Sequence, residues 1–286
     1  MTSSIISFCP GHISGYFKPV FGRDARSTGS MGAGIVIDEG VMVVAERADT
    51  TKVTVDRVDF LDHVQESSVG SLPVEDLLDR MGAKAEIRTM CRLPIGAGFG
   101  LSAAALTASA VAVNRLYDLG FTATECIEYA HESEIFHRTG LGDVAACQGG
   151  GRDCRKEAGI HAEIERRFDL AAPVFAVTFS SLPSPSILGS KTVMNRIVRA
   201  FPGKCPKTPE DFFRSSREFS ERSGLITPQV RIGLKACDRE GIPASMTMLG
   251  NGVFAYGNDA GEILRQFGET FELHIASSGV RILEES

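Results

Sequence analysis

No Cys-x-x-Cys pair occurs among the seven cysteines, which lie scattered at positions 9, 91, 126, 147, 154, 205 and 237. That excludes a zinc ribbon and gives no sign of a disulfide framework, so all seven are expected as reduced thiols in a cytoplasmic protein. No apolar run approaches the roughly 18 residues that a membrane helix needs, and the N-terminus lacks the basic start of a signal peptide. A basic excess is missing too: the net charge is −6 and the pI near 5.6, against the concentrated positive face of a nucleic-acid binder. No internal repeat appears. With these classes removed, 286 residues that are 43% hydrophobic suffice for one large or two medium domains with a substantial core.

What is present centres on Leu93–Ala105, LPIGAGFGLSAAA. Gly96, Gly98 and Gly100 stand at alternate positions before Ser102 and a small-residue run, Leu101–Tyr117, that reads as a helix. Glycines allow a close backbone approach, and a helix start turns unpaired N–H groups and the positive dipole end toward one point. The pattern predicts a phosphate site. It is not a Walker loop, because no Lys-Ser/Thr pair closes it. Nor is it the dinucleotide fingerprint, whose third glycine would fall one residue later and whose ribose-binding acid is absent.

A second helix is predicted from Thr122-x-x-Glu125, a capping box. At a period of 3.6, Ile127, Ala130, Glu134 and His137 share one face, while Glu125, Glu128 and Glu132 fall on a solvated one. Glu134 is thus a carboxylate on a buried stripe, where an unpaired charge costs several kcal/mol. A metal ion would offset that cost, and magnesium favours one or two carboxylates with phosphate oxygens; an arginine partner is the other reading. His131 and His137 miss the H-E-x-x-H spacing of a zinc protease. The helix ends at His137–Asp143, where Asp143 is by default an N-cap for the next segment. Earlier, Cys9-Pro10-Gly11-His12 predicts a turn that leaves His12 at a strand end. Ser27, Thr28 and Ser30 precede the strand Ala33–Asp38, with Gly40–Ala45 as its antiparallel partner, and read as hairpin residues or as contacts to a small acid. Residues 59–72 read as a polar connection. Arg152, Arg155 and Lys156 read as solvated surface or as an acid-binding group. In the second half, Ser180–Ser190 is a Pro/Ser loop, and MLGNGVF carries Asn251-Gly252 between apolar strands, a hairpin signal. Phe271–Ala276 and Val280–Leu283 are expected to close the second sheet.

Pro94, Gly98, Gly100, Ser102, Ala103 and Ala104 fit P-x-x-x-G-x-G-x-S-A-A, which resembles the ATP loop of the GHMP kinases (galactokinase, homoserine, mevalonate and phosphomevalonate kinases). Leu101 replaces the first of the motif's two serines, and His12 replaces the basic residue of the family's P-G-K or P-x-R turn. The resemblance implies an α+β, two-domain fold: a ribosomal-protein-like βαβ domain over 1–171 and a ferredoxin-like domain over 172–286. It implies ATP and Mg2+ as cofactors, with Pro94, Gly96, Ala97, Gly98, Gly100, Leu101, Ser102 and Ala103 holding the nucleotide, and Ser102 with Glu134 holding the metal. Asp143 matches the family's S-G-x-D segment, which implies that it orients or deprotonates the acceptor hydroxyl. His12 would stabilise developing charge in a pH-dependent way. Ser27, Thr28, Ser30, Thr139, Gly250 and Asn251 are the implied contacts to a small hydroxy-acid substrate. The implied assembly is a homodimer, with no nucleic-acid or membrane partner. FCPGHISGYF, PIGAGFGLSAA and MLGNGVF together are most similar to one archaeal branch that phosphorylates a terminal hydroxyl. That acceptor follows from resemblance alone. A different hydroxylated acceptor, a nucleotide-binding member without turnover, and a dinucleotide oxidoreductase are the alternatives.

Overall fold

Hydrophobic alternation at the N-terminus runs on past its turn residues. The computed structural model describes residues 3–181 and 190–286, and its first strand, β1, spans Ser4–Val20 straight through Pro10-Gly11. Proline has no N–H for a ladder, and the pairing with β2 (Gly29–Arg47) shifts register between Pro10 and Gly11. The expected turn is therefore a bulge, and His12 stands inside a strand rather than at its end. The bulge also corrects the expected hairpin: Ala33–Asp38 and Gly40–Ala45 belong to the single strand β2, with Gly40 opposite Pro10.

Next come β3 (Lys52–Val58), β4 (Val64–Val69), α1 (Leu72–Arg80) and β5 (Ala85–Cys91). The stretch expected as a polar connection contains β4, whose residues are all exposed; an edge strand with no buried face shows no alternation to read. β5 runs parallel to β3 and antiparallel to β2, and the parallel pair requires a crossover, supplied by α1. The glycine loop then opens α2 (Leu101–Tyr117), whose alanines are buried to zero exposure at 104, 108, 110 and 112 and let it approach the sheet closely. α3 (Ala123–His137) starts at the predicted capping box of Thr122 and Glu125. α4 (Asp143–Cys147), β6 (Arg152–Arg155) and β7 (Ile164–Arg167) follow, with β6 paired to the first half of β2.

A second sheet begins at β8 (Val174–Ser180). Residues 182–189 of the expected Pro/Ser loop lie outside the described residues. α5 (Lys191–Ala200), α6 (Pro209–Ser223) and α7 (Pro228–Arg239) lead to β9 (Ala244–Met246), β10 (Asn251–Tyr256), α8 (Ala260–Arg265) and β11 (Thr270–Leu273). Thr208 and Thr227 cap α6 and α7 ahead of a first-turn proline. The strand order is β11-β8-β10-β9, all antiparallel. Asn251 and Gly252 are strand residues, and the turn before them is Thr247–Gly250. The last strand, β12 (Arg281–Glu285), does not close this sheet as expected. It pairs with β1, Ile5 opposite Glu285, giving the first sheet the order β12-β1-β2-β5-β3-β4. The architecture is mixed α+β, and no helix among the described residues is long and apolar enough to cross a membrane.

One cysteine expectation fails. Cys154 on β6 and Cys205 between α5 and α6 form a disulfide with a Cα–Cα distance of 5.8 Å, while Cys9, Cys91, Cys126, Cys147 and Cys237 are free and buried. The pairing follows from tertiary packing, since Arg152 donates to the Pro206 carbonyl at 3.1 Å and Tyr16 to the Lys204 carbonyl at 2.9 Å. Its sequence separation is 51, and a closure of that length contributes about 4 kcal/mol by chain entropy. Cys205→Ser, unfolded by denaturant without reductant, is expected to lose about 2–4 kcal/mol, and reduced wild type should match it. Equal midpoints for oxidised wild type and the variant would return both cysteines to the thiol form.

Candidate active site

The glycine loop takes its shape from alternating anchors. Leu93, Ala97, Phe99 and Leu101 are buried, while Gly96, Gly98 and Gly100 between them adopt φ of 75°, 85° and 64°. These left-handed values suit glycine. A Cβ at Gly98 would lie 2.8 Å from the Met248 carbonyl, so the loop backbone is pressed against the turn of the second sheet. On its other side the His12 amide donates to the Phe99 carbonyl at 2.9 Å. Gly100 caps α2 without a side-chain bond, which leaves the first-turn amides available to an anion.

A cavity of about 400 Å³ opens before this helix start. Gly96, Gly98, Gly100, Leu101, Ser102 and Ala103 line it, with Ser30, Thr139, Gly142, Asp143, Met248 and Leu249. Phe17, Val41, Val55 and Val74 form an apolar wall. Several expected contacts stand elsewhere. Pro94 and Ala97 do not line the cavity, and Ala97 is an inward anchor. Ser27 is exposed and bonds Asp24; the Thr28 hydroxyl donates to the Asp24 carbonyl at 2.7 Å and accepts from the Gly22 amide. Both residues shape the turn, and neither reaches the cavity. Gly250 packs on the Ala97 backbone, and buried Asn251 bonds Ser180, Thr227 and Gln229. They support the loop from behind.

Glu134 is 1% exposed, and neither carboxylate oxygen has a hydrogen-bond partner; the buried Thr139 hydroxyl has none either. The expected alternative, an arginine partner, is not realised among the described residues. The His131 ring, whose Nε2 lies 2.9 Å from the Thr28 carbonyl, holds its Nδ1 3.5 Å from Glu134, too far for a good hydrogen bond. Burial pushes the Glu134 carboxyl up, His131 opposes this, and the charge of Asp143 adds to it. A Cβ at Gly140 would overlap Glu134 Oε1 and stand 3.0 Å from Asp143 Oδ2, so the two acids close on one small space that only glycine leaves open. Glu128, expected on a solvated face, is buried by pairing with Arg26 at 2.7 Å and His161 at 3.1 Å.

Asp143 is not a helix cap. Gly142 holds that position, and Asp143 turns its Oδ1 to His12 Nδ1 at 2.7 Å. His12, expected to reach the site directly, is 1% exposed and lies beneath it, with Nε2 2.7 Å from Asp153 Oδ1. Burial disfavours the imidazolium, but Asp153 and Asp143 together lift the His12 pKa to about 9. Its charge is therefore held through neutral pH instead of varying there. Asp153 carries no local mark in the sequence, where it is a lone acid in R-D-C-R. Of the neighbouring basic residues, Arg155 is buried and bonds Asp153 and the Ser30 carbonyl, Arg152 is buried and pairs with Asp169, and Lys156 is exposed.

Known proteins resemble this chain in sequence and in fold. Residues 71–151 match the family described as GHMP kinases N terminal domain. A pantoate kinase of Methanospirillum hungatei is 46% identical over 279 residues, 98% of this chain and 96% of that protein. One from Thermococcus kodakarensis is 30% identical, covering 89% and 88%. A solved phosphotransferase related to the CoA biosynthesis pathway shares the fold, with a TM-score of 0.82 and 24% identity over 98% of both chains. With its uncapped glycine-loop helix and paired acids, the chain belongs to the GHMP kinases, which transfer a phosphoryl group from ATP to a hydroxyl group.

Proposed function

We propose that this enzyme phosphorylates the terminal hydroxyl of pantoate, giving 4-phosphopantoate and ADP. The acceptor is carried over from the relatives named as pantoate kinases. The observation that carries the site assignment is the buried Glu134 carboxylate, without hydrogen-bond partners, converging on the space beside Gly140 with Asp143, which lines the cavity at the uncapped start of α2. On this reading the chain divides near residue 171 into a nucleotide-binding part over 1–171 and a second part over 172–286.

Phosphoryl transfer depends chiefly on positioning and charge neutralisation. The amides of Leu101–Ala103 and the glycines before them hold the triphosphate at the positive end of α2. Asp143, with Oδ1 engaged by His12, receives the acceptor proton on Oδ2. The acceptor O–H bond breaks as its oxygen bonds the γ-phosphorus, and the bond from that phosphorus to the ADP oxygen breaks. Ser30 and Thr139 line the acceptor side.

Glu134 and Ser102 are the side-chain donors for Mg2+. Two orphaned carboxylate oxygens and a hydroxyl are hard donors, few enough that phosphate oxygens and water complete the shell. Among the described residues no group of three His, Cys, Asp or Glu side chains is arranged to hold a metal ion. When bound, Mg2+ neutralises charge on the phosphate oxygens.

ADP release should be measured with pantoate, homoserine, shikimate, mevalonate and a hexose as acceptors; pantoate is expected to give the highest kcat/KM. Turnover of another acceptor alone would replace the substrate, and ATP binding without turnover of any would make this a nucleotide-binding protein. Asp143→Ala is expected to lower kcat by about 10²–10⁴ with the KM for ATP nearly unchanged; undiminished kcat would remove it from catalysis. For Glu134→Gln the magnesium titration of activity and of calorimetric ATP binding should move to higher concentration. An unmoved titration would take Glu134 out of the metal site.

A further inference from the structure

Beneath the cavity, His12 spans two acids from different elements. Its Nδ1 faces Asp143 of α4 and its Nε2 faces Asp153 of β6, each at 2.7 Å. A neutral imidazole has one N–H, so it would set a ring lone pair against one of the two carboxylates; only the imidazolium donates to both. Asp153 is fully buried, and its other oxygen accepts from Arg155, which is also buried. The sheet makes room for this arrangement. Gly34 on β2 lies directly across from Asp153, and a Cβ there would overlap His12 Nε2, so the ring crosses the strand only because residue 34 has no side chain.

We propose that Asp153 is a positioning residue: acting through His12, it fixes which oxygen of Asp143 faces the acceptor, in a buried relay Arg155–Asp153–His12–Asp143 of alternating charge. This rests on the reading of Asp143 as the group that takes the acceptor proton. Four alternating charges sum to zero, which limits the cost of burying them, and the one end that reaches the cavity is Asp143. Orienting an imidazole through its far nitrogen is how buried acids select its protonation and angle.

The groups around His12 are few. Asp143 and the Cys147 thiol face it from α4, Asp153 from β6 with Arg155 and Arg166 acting on Asp153, and Cys9 lies on its own strand. Glu134 stands across Gly140, α2 presents Gly100 and β2 presents Gly34, neither of which titrates. Burial on its own raises the Asp153 carboxyl, but Arg155 and then His12 bring it below the usual carboxylate range. Among the partners that lift His12 to about 9, Asp153 is the largest. Raising the pH through that value removes the second N–H. Neutralising residue 153 should remove it at lower pH.

The test combines kinetics with ¹⁵N NMR of the His12 ring. In wild type both ring nitrogens should be protonated at about pH 8, a readout that needs neither substrate nor variant. Asp153→Asn should lower kcat about 100-fold, leave the KM for ATP nearly unchanged, and move the basic limb of the kcat profile about one pH unit or more toward neutrality. In an Asp153→Asn/His12→Asn double variant the loss should be no greater than for His12→Asn alone. A singly protonated His12 in wild type at neutral pH, an unmoved pH profile in Asp153→Asn, or additive losses would each overturn the proposal. If no acceptor turns over while the NMR behaves as stated, the failure belongs to the kinase reading: the doubly protonated His12 between its two acids stands, and the positioning role of Asp153 falls with that reading.

Discussion

The site depends on one backbone contact, the seat of the glycine loop on the β1 bulge. Pro10 breaks the β1–β2 ladder, the register slips just before His12, and the His12 amide donates to the Phe99 carbonyl. That bond ties the loop that precedes α2 to the strand that carries His12. Gly11 and Gly100 are needed for the same contact, since a Cβ on either would press on the opposite backbone at 2.7–3.1 Å. The first-turn amides of α2 and the His12 ring are therefore set by a single packing event. A change in the bulge would move both together.

Around that seat, buried charge is arranged in two ways. Asp153, His12 and Arg155 compensate one another and are closed to the cavity, so they act as fixed scaffolding. Glu134 and Thr139 keep buried oxygens without hydrogen-bond partners, a state that costs free energy. Sites that bind anions and cations together are built this way, with stability given up at the binding groups and recovered from a rigid shell around them. The turn at Met248–Gly250 completes the shell from the second sheet by bracing Gly98.

How far the chain could be read in advance varied with the range of each interaction. α2 and the capping box of α3 were legible because their signals lie within four residues of the structure they specify. Glu134 was legible as a buried acid for the same reason. Glu128 was misjudged, since its burial is compensated by Arg26 and His161 from other segments. β4 escapes a pattern reading because a strand with no buried face carries no alternation, whereas β12 is legible as a strand but not in its pairing with β1, which only tertiary packing brings beside it.

By itself, then, the sequence determined the glycine loop, the helix behind it and the acids that follow, because glycine spacing, helical period and capping act between near neighbours. Only the tertiary structure decided what those acids meet. His12 bonds residues 131 and 141 positions away, and Cys154 pairs with a residue 51 positions on. No local preference encodes such partners; they exist once β6, α4 and the α5–α6 connection are packed against β1.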